Sequence, residues 1–306
     1  MGTQIIGDIK QFGLNVFCVS AFSRIMRILK FPNKAISTYV NWKNRYLSNW
    51  LWRKFRQTVI LHKENAGIPD DNYVFVFWLQ GEDKAPAIVK ACISSIRKWC
   101  VGKEVVVLDE RNYSQYATLP SSLLAKYEMG GVSHAHFSDV LRFELLREHG
   151  GIWIDATCFV SQSFPMYVYE YSFFSLNGAY TGGLGWKWTS WFMAAKKGDL
   201  LVENMCRFYE AYWGKYESAV TYLFLDCWVL ALYNHIPEIK AEIDSLPICG
   251  KCYSIVSNWS STYSDTLMKN ITDEFFVNKL TYKAPLPNEF VDGHLTIFGK
   301  LIEKFK

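Results

Sequence analysis

The 306-residue chain has no apolar run long enough to span a membrane as a helix. Such a helix needs roughly 18 uncharged apolar residues, and the best run, Phe12 to Phe22, is too short. The run also fails as a secretory signal, because Asp8 precedes it and Arg24 and Arg27 follow without a small-residue cleavage pattern. A second C-x-x-C is missing: Cys249 and Cys252 form the only such pair among eight cysteines, which excludes a disulfide framework and leaves a zinc site two ligands short. Repeats and low-complexity tracts are absent, and Gly and Pro are not enriched, so fibrous and disordered classes drop out. Acids are scarce at the start. Residues 1 to 63 hold eleven Lys and Arg against the single acid Asp8, and since the whole chain carries only +4, the rest is acidic. The expectation is a cytoplasmic protein with reduced thiols, peripheral to the inner face of a membrane.

Half of the residues are hydrophobic and 17% are aromatic, enough for a sizeable core behind a basic appendage. In that appendage Tyr46, Leu47, Trp50, Leu51, Phe55 and Val59 recur at helical spacing, with Lys43, Arg45, Arg53, Lys54 and Arg56 on other faces. Val16, Val19, Phe22, Met26 and Leu29 form a second stripe. Two readings stand: helices lying on anionic lipid, or helices packing on the main body with a solvated basic face. Nucleic acid is the weaker partner, because phosphate contact needs no apolar stripe.

A turn-rich joint, Asn65 to Asn72, divides residues 1–64 from a main domain over 65–306. Tyr73 to Leu79 reads as a buried strand, Ala85 to Trp99 as a helix and Glu104 to Leu108 as a second strand, the opening of a parallel α/β sheet. Ser138 to His149 reads as a helix stopped by Gly150, and Ile152 to Ile154 as a strand delivering Asp155. Beyond it, Asn177 to Trp188 is a glycine-rich aromatic loop, Trp191 to Tyr212 reads as mostly helical, and Thr221 to Tyr233 as an apolar helix that contains Asp226. A buried, hydrogen-bonded role for Asp226 and one facing an acceptor are both open. Lys279 to Lys283 alternates at period two, so Lys279, Thr281 and Lys283 share one strand face, as a charge clamp or as an edge that resists aggregation.

Asp139 and Arg142, three apart on one helix, share a face, and the glycine-turned strand can return Asp155 to them. The ordered string S-D-V-L-R, G-G-I-W-I-D-A-T, with FVFWLQGEDKAP, VKACISSI and KLTYK around it, resembles the bacterial capsular polysaccharide synthesis proteins. These are related to glycosyltransferase family 32 and to the glucosyltransferase domain of clostridial toxins. The likeness covers most of residues 72 to 300 and leaves 1 to 63 outside. It implies an α/β GT-A fold, with a mixed, mainly parallel sheet flanked by helices, that binds a nucleoside-diphosphate sugar, UDP-sugars favoured. It further implies transfer with retention to a hydroxyl of a glycan or polyprenyl-diphosphate-linked oligosaccharide.

Carried over residue by residue, the resemblance makes Trp78 the base-stacking aromatic and gives Asp139 and Arg142 the donor sugar and phosphate. It makes Asp155 the first acid of D-x-D. Gln80, Asp109, Ser138, Lys279 and Lys283 complete the expected donor-binding set. Thr157 stands where the second acid belongs. Mn²⁺ or Mg²⁺ is still expected, on Asp155 and Thr157 with His294 as a further ligand, and without it Lys279 and Lys283 must supply the positive charge. The incomplete D-x-D also leaves a non-catalytic, nucleotide-sugar-binding protein of an assembly complex as the alternative.

Overall fold

A computed structural model describes residues 2–62, 72–179, 187–283 and 285–305, the side chains of 2–5 excepted. The joint expected at Asn65 to Asn72 falls outside these residues except for Asn72, as does the middle of the loop Asn177 to Trp188.

In chain order the elements are α1 (Gly2–Phe12), α2 (Leu14–Ile28), α3 (Asn33–Phe55), β1 (Tyr73–Phe77), α4 (Ala87–Trp99), β2 (Glu104–Leu108) and α5 (Ser121–Glu128). Then come α6 (His134–His149), β3 (Gly151–Ile154), β4 (Cys158–Val160), α7 (Tyr167–Glu170), β5 (Phe173–Ser175), β6 (Phe192–Ala195), α8 (Leu200–Lys215) and α9 (Phe224–His235). The last are α10 (Pro237–Ser245), α11 (Ser254–Asn258), α12 (Asp265–Glu274), β7 (Val277–Lys279), β8 (Phe290–Val291), β9 (His294–Leu295) and α13 (Ile297–Ile302).

The main sheet has five strands in the order β2-β1-β3-β6-β5. β1 runs parallel to β2 and β3, whereas β6 is antiparallel to both β3 and β5. The sheet is therefore mixed, as expected: β2, β1, β3 and β5 share one direction and β6 alone is reversed. Alternation along each strand feeds two cores. Phe75, Trp153 and Met193 face a core shared with α3, α6, α8 and α9, while Val76, Ile152 and Phe192 face one shared with α4 and the β4/β7 pair.

The double glycine answers to local geometry. Ser133 opens α6 by accepting from the His136 N–H, and Gly150 closes it at φ 74°. Gly151 follows at φ 90°, where a Cβ would lie 2.5 Å from the Tyr73 carbonyl oxygen. Only glycine lets the chain reverse there and still pair with β1.

Two sequence expectations give way. Residues 192–195 form β6 and not helix, because pairing with β3 and β5 overrides the helix propensity of Met193, Ala194 and Ala195, and Asp199 caps α8 only afterwards by accepting from the Val202 N–H. The extended run from Lys279 to Lys283 ends as a strand at Lys279; Leu280 turns into the core and Lys283 is exposed, so the two lysines do not share a strand face.

α3 settles one of the two readings of the basic segment. Leu47, Trp50, Leu51 and Phe55 are buried in the first core. Trp52 and Phe55 lie against Trp228 of α9, and Phe55 meets Phe208 of α8 edge-on at 5.2 Å. That apolar stripe packs on the main body and is not available to lipid. No described helix is long and apolar enough to cross a membrane.

Candidate active site

The carboxyl ends of β1 and β3 lie side by side, since Phe75 pairs with Trp153. Trp78 and Asp155, each just past its strand, thus reach the same sheet edge, where open α/β sheets receive ligands. α6 lies over both strands and presents Ser138, Asp139 and Arg142.

Arg142 organises the site. It is buried, its Nη2 lies 3.1 Å from Asp139 Oδ1 and 3.9 Å from Asp155 Oδ1, and its guanidinium stacks 5.0 Å from the Trp153 ring centre. Its remaining donors reach the Ser138 carbonyl at 3.2 Å, the Ser138 hydroxyl at 3.3 Å and the Ser190 carbonyl. A planar fork with every arm engaged fixes the positions of two carboxylates.

Asp155 opens a tight turn in which the Cys158 N–H donates to its carbonyl. Its side chain accepts from Trp153 Nε1 at 3.0 Å and from Lys279 Nζ at 2.7 Å. The same ammonium donates to Thr157 Oγ1 at 2.7 Å. Lys279 is brought in by the antiparallel pairing of β7 with β4, which sets it opposite Cys158. Burial disfavours the Asp155 charge, yet Lys279 and Arg142 outweigh it and hold the carboxyl below its ordinary pKa. For Asp139 burial outweighs the pull of Arg142 and raises the pKa.

Asp226, in the first turn of α9, lies near the cluster. Trp188 Nε1 donates to its Oδ1 at 3.0 Å, and burial pushes its pKa up to about 6 within electrostatic reach of Asp139 and Arg142.

The other expected residues scatter. Trp78 stands half-buried at the β1 edge, its indole N–H buried without a protein partner and its ring edge-on to Tyr282 at 4.9 Å. Gln80 is exposed. Asp109 is consumed locally, accepting from the Arg111 backbone N–H at 2.8 Å and from the Arg111 guanidinium. Lys283 is exposed beside Tyr282, and His294 is exposed in the β8/β9 hairpin. Trp153, Trp188 and Ser190 escaped the sequence reading. Only Trp153 left a signal there, standing two residues before Asp155 and thus on the same strand face.

A divalent ion does not fit this arrangement. The expected ligands Asp155 and Thr157 both bond the Lys279 ammonium, which would repel a second cation at that place, and His294 sits on a separate hairpin. Among the described residues no group of three or more His, Cys, Asp or Glu is placed to hold a metal. The ligands expected from the sequence, Asp155, Thr157 and His294, are thus not gathered into one protein-only site for Mn²⁺ or Mg²⁺ among the described residues.

The sequence profile described as "Capsular polysaccharide synthesis protein" matches residues 28–298. The chain belongs to that family. The match takes in residues 28 to 63, which the motif reading had left outside the resemblance; this agrees with the burial of α3 in the first core. Among solved structures, one titled PaToxG Glycosyltransferase is similar at 15% identity, covering 76% of this chain and 99% of its own, with a TM-score of 0.40. That overlap is too loose to bear on residue roles. No curated protein matches the chain.

Proposed function

We propose that this family member is a glycosyltransferase of the GT-A kind. It moves a sugar from a nucleoside-diphosphate sugar, UDP-sugars favoured, to a hydroxyl of a glycan acceptor such as a lipid-linked repeat unit, with retention. The observation that carries this reading is the convergence of Asp139, Arg142, Asp155, Thr157 and Lys279 at one sheet edge.

In the reading, Lys279 takes the place that a divalent ion holds between the acids of D-x-D. The charge balance is the same: two carboxylates with a doubly charged ion sum to zero, and so do one carboxylate and one ammonium. Lys279 Nζ then faces the diphosphate and stabilises the negative charge that grows on it as the glycosidic bond breaks, an electrostatic role that needs no rearrangement. Arg142 acts through Asp139 and Asp155, holding both carboxylates where they can accept from sugar hydroxyls. Trp78, with its free indole N–H, offers a flat surface for the base.

The test is release of nucleoside diphosphate and transfer of sugar by the full chain across a panel of nucleotide sugars. Turnover that Asp155→Asn abolishes while the fold persists supports the transferase. Donor binding without transfer to any acceptor supports a carrier or scaffold role instead.

A further inference from the structure

With the α3 stripe buried, the second stripe changes meaning. α2 turns Val16, Ser23 and Met26 inward, and the Tyr39 hydroxyl of α3 donates to the Val19 carbonyl at 3.1 Å, fixing which side faces the protein. A neighbouring side carries Leu14, Cys18, Phe22, Ile25 and Leu29 at helical intervals, with the Phe22 ring partly covered by Tyr39 of α3, edge-on at 4.9 Å. The four large side chains among them are 43 to 63% exposed, and Ile28 and Phe31 extend the patch into the turn before α3. An apolar stripe of this length left in water calls for a partner.

Its surroundings choose one. Arg24 flanks exposed Ile28 at the edge of the patch, exposed Lys30 and Lys34 ring the turn, Arg27 lies on the far side of the helix, and Asp8 is the only acid in residues 1 to 63. A second copy meeting this face across a two-fold axis would set each basic border against its twin. At the near end of the stripe, Leu14 also lines a groove of about 450 Å³ between α1, α2 and α3, together with Phe12, Tyr46, Trp50, Arg53 and Lys54. Apolar walls beside two cations suit an amphiphile with an anionic head.

We propose that the outward face of α2 docks on an anionic phospholipid surface, with its apolar side chains entering the headgroup layer and Arg24, Lys30 and Lys34 meeting lipid phosphates. This rests on the exposed stripe and its charge, and stands whether or not the chain transfers sugar.

The test is co-sedimentation of the full chain with phosphatidylcholine vesicles made with and without phosphatidylglycerol. The wild type pellets with the anionic vesicles, less so in high salt, and stays in solution with the neutral ones. Combining Phe22→Ser, Ile25→Ser and Leu29→Ser lowers partitioning on the order of tenfold or more, as does Arg24→Gln with Lys30→Gln and Lys34→Gln. Should the first set fail to fold, the second carries the test, since it alters only exposed polar side chains. A polarity-sensitive dye on Cys18, in a Cys249→Ser background because the other cysteines are buried, brightens on anionic vesicles. A wild type that remains in the supernatant, or variants that pellet unchanged, overturns the proposal. So does a dimer in solution that the serine variant dissociates while no vesicle binding is seen.

Discussion

The sheet-edge cluster and the N-terminal helices both gather cations, in opposite ways. At the edge, Arg142 and Lys279 are largely buried and each is bonded to a carboxylate, so their charge is fixed in place and balanced. Around α2, Arg24 and Arg27 are exposed in a segment with a single acid. Paired buried charges hold geometry and respond weakly to salt, whereas exposed charges of one sign project a field that salt screens within about 10 Å. The first arrangement suits chemistry on one small ligand; the second suits a broad anionic surface.

The comparison breaks most visibly at the edge. Lys279→Ala leaves Asp155 buried beside Arg142 without its ammonium, and transfer is expected to fall by roughly 10²- to 10³-fold in kcat. A loss of only a few-fold, measured with intact circular dichroism, would remove Lys279 from the account.

Next in size is the division between the two faces of the helical layer. Leu51→Ala, in the buried stripe of α3, should cost about 2 to 5 kcal/mol in urea unfolding. Ile28→Ser, at the exposed end of α2, should change stability by no more than ~0.5 kcal/mol. Equal costs would mean that α2 is covered like α3.

A smaller effect separates the cluster from the neighbouring Asp226. Asp226 has its pKa raised to about 6 in the folded protein, so the folded state holds a proton that the unfolded chain releases near pH ~4. Between these values stability falls as pH rises, by at most ~3 kcal/mol, and the loss is complete above about 6. Asp226→Asn should remove this component, so that wild type and variant diverge in melting temperature from pH 4 upward, the variant being the more stable at neutral pH. Parallel profiles would show that Asp226 ionises freely. Asp155 has the opposite sign: its stabilising contribution is present at neutral pH and fades as acid protonates it.

The sequence already exposed what is local. Gly150 and Gly151 announce the reversal between α6 and β3, and three-residue spacing sets Asp139 beside Arg142, because each depends on neighbours in the chain. Period alone showed that a face of α3 is apolar, but the choice between lipid and Trp228 of α9 belongs to tertiary packing. β6 was hidden because its pairing with β3 lies outside its own residues. Lys279 was picked out for its charge, yet its contact with Asp155 spans 124 positions and follows from the register of β4 on β7. The same register moved Thr157 from expected metal ligand to ammonium partner.

The most direct test of the central claim is sugar transfer by the full chain in EDTA and in Mn²⁺, alongside Lys279→Ala. The account expects wild-type turnover to be the same in both and the variant to be slower by roughly 10²- to 10³-fold in both. Turnover that requires Mn²⁺ and survives Lys279→Ala would contradict it.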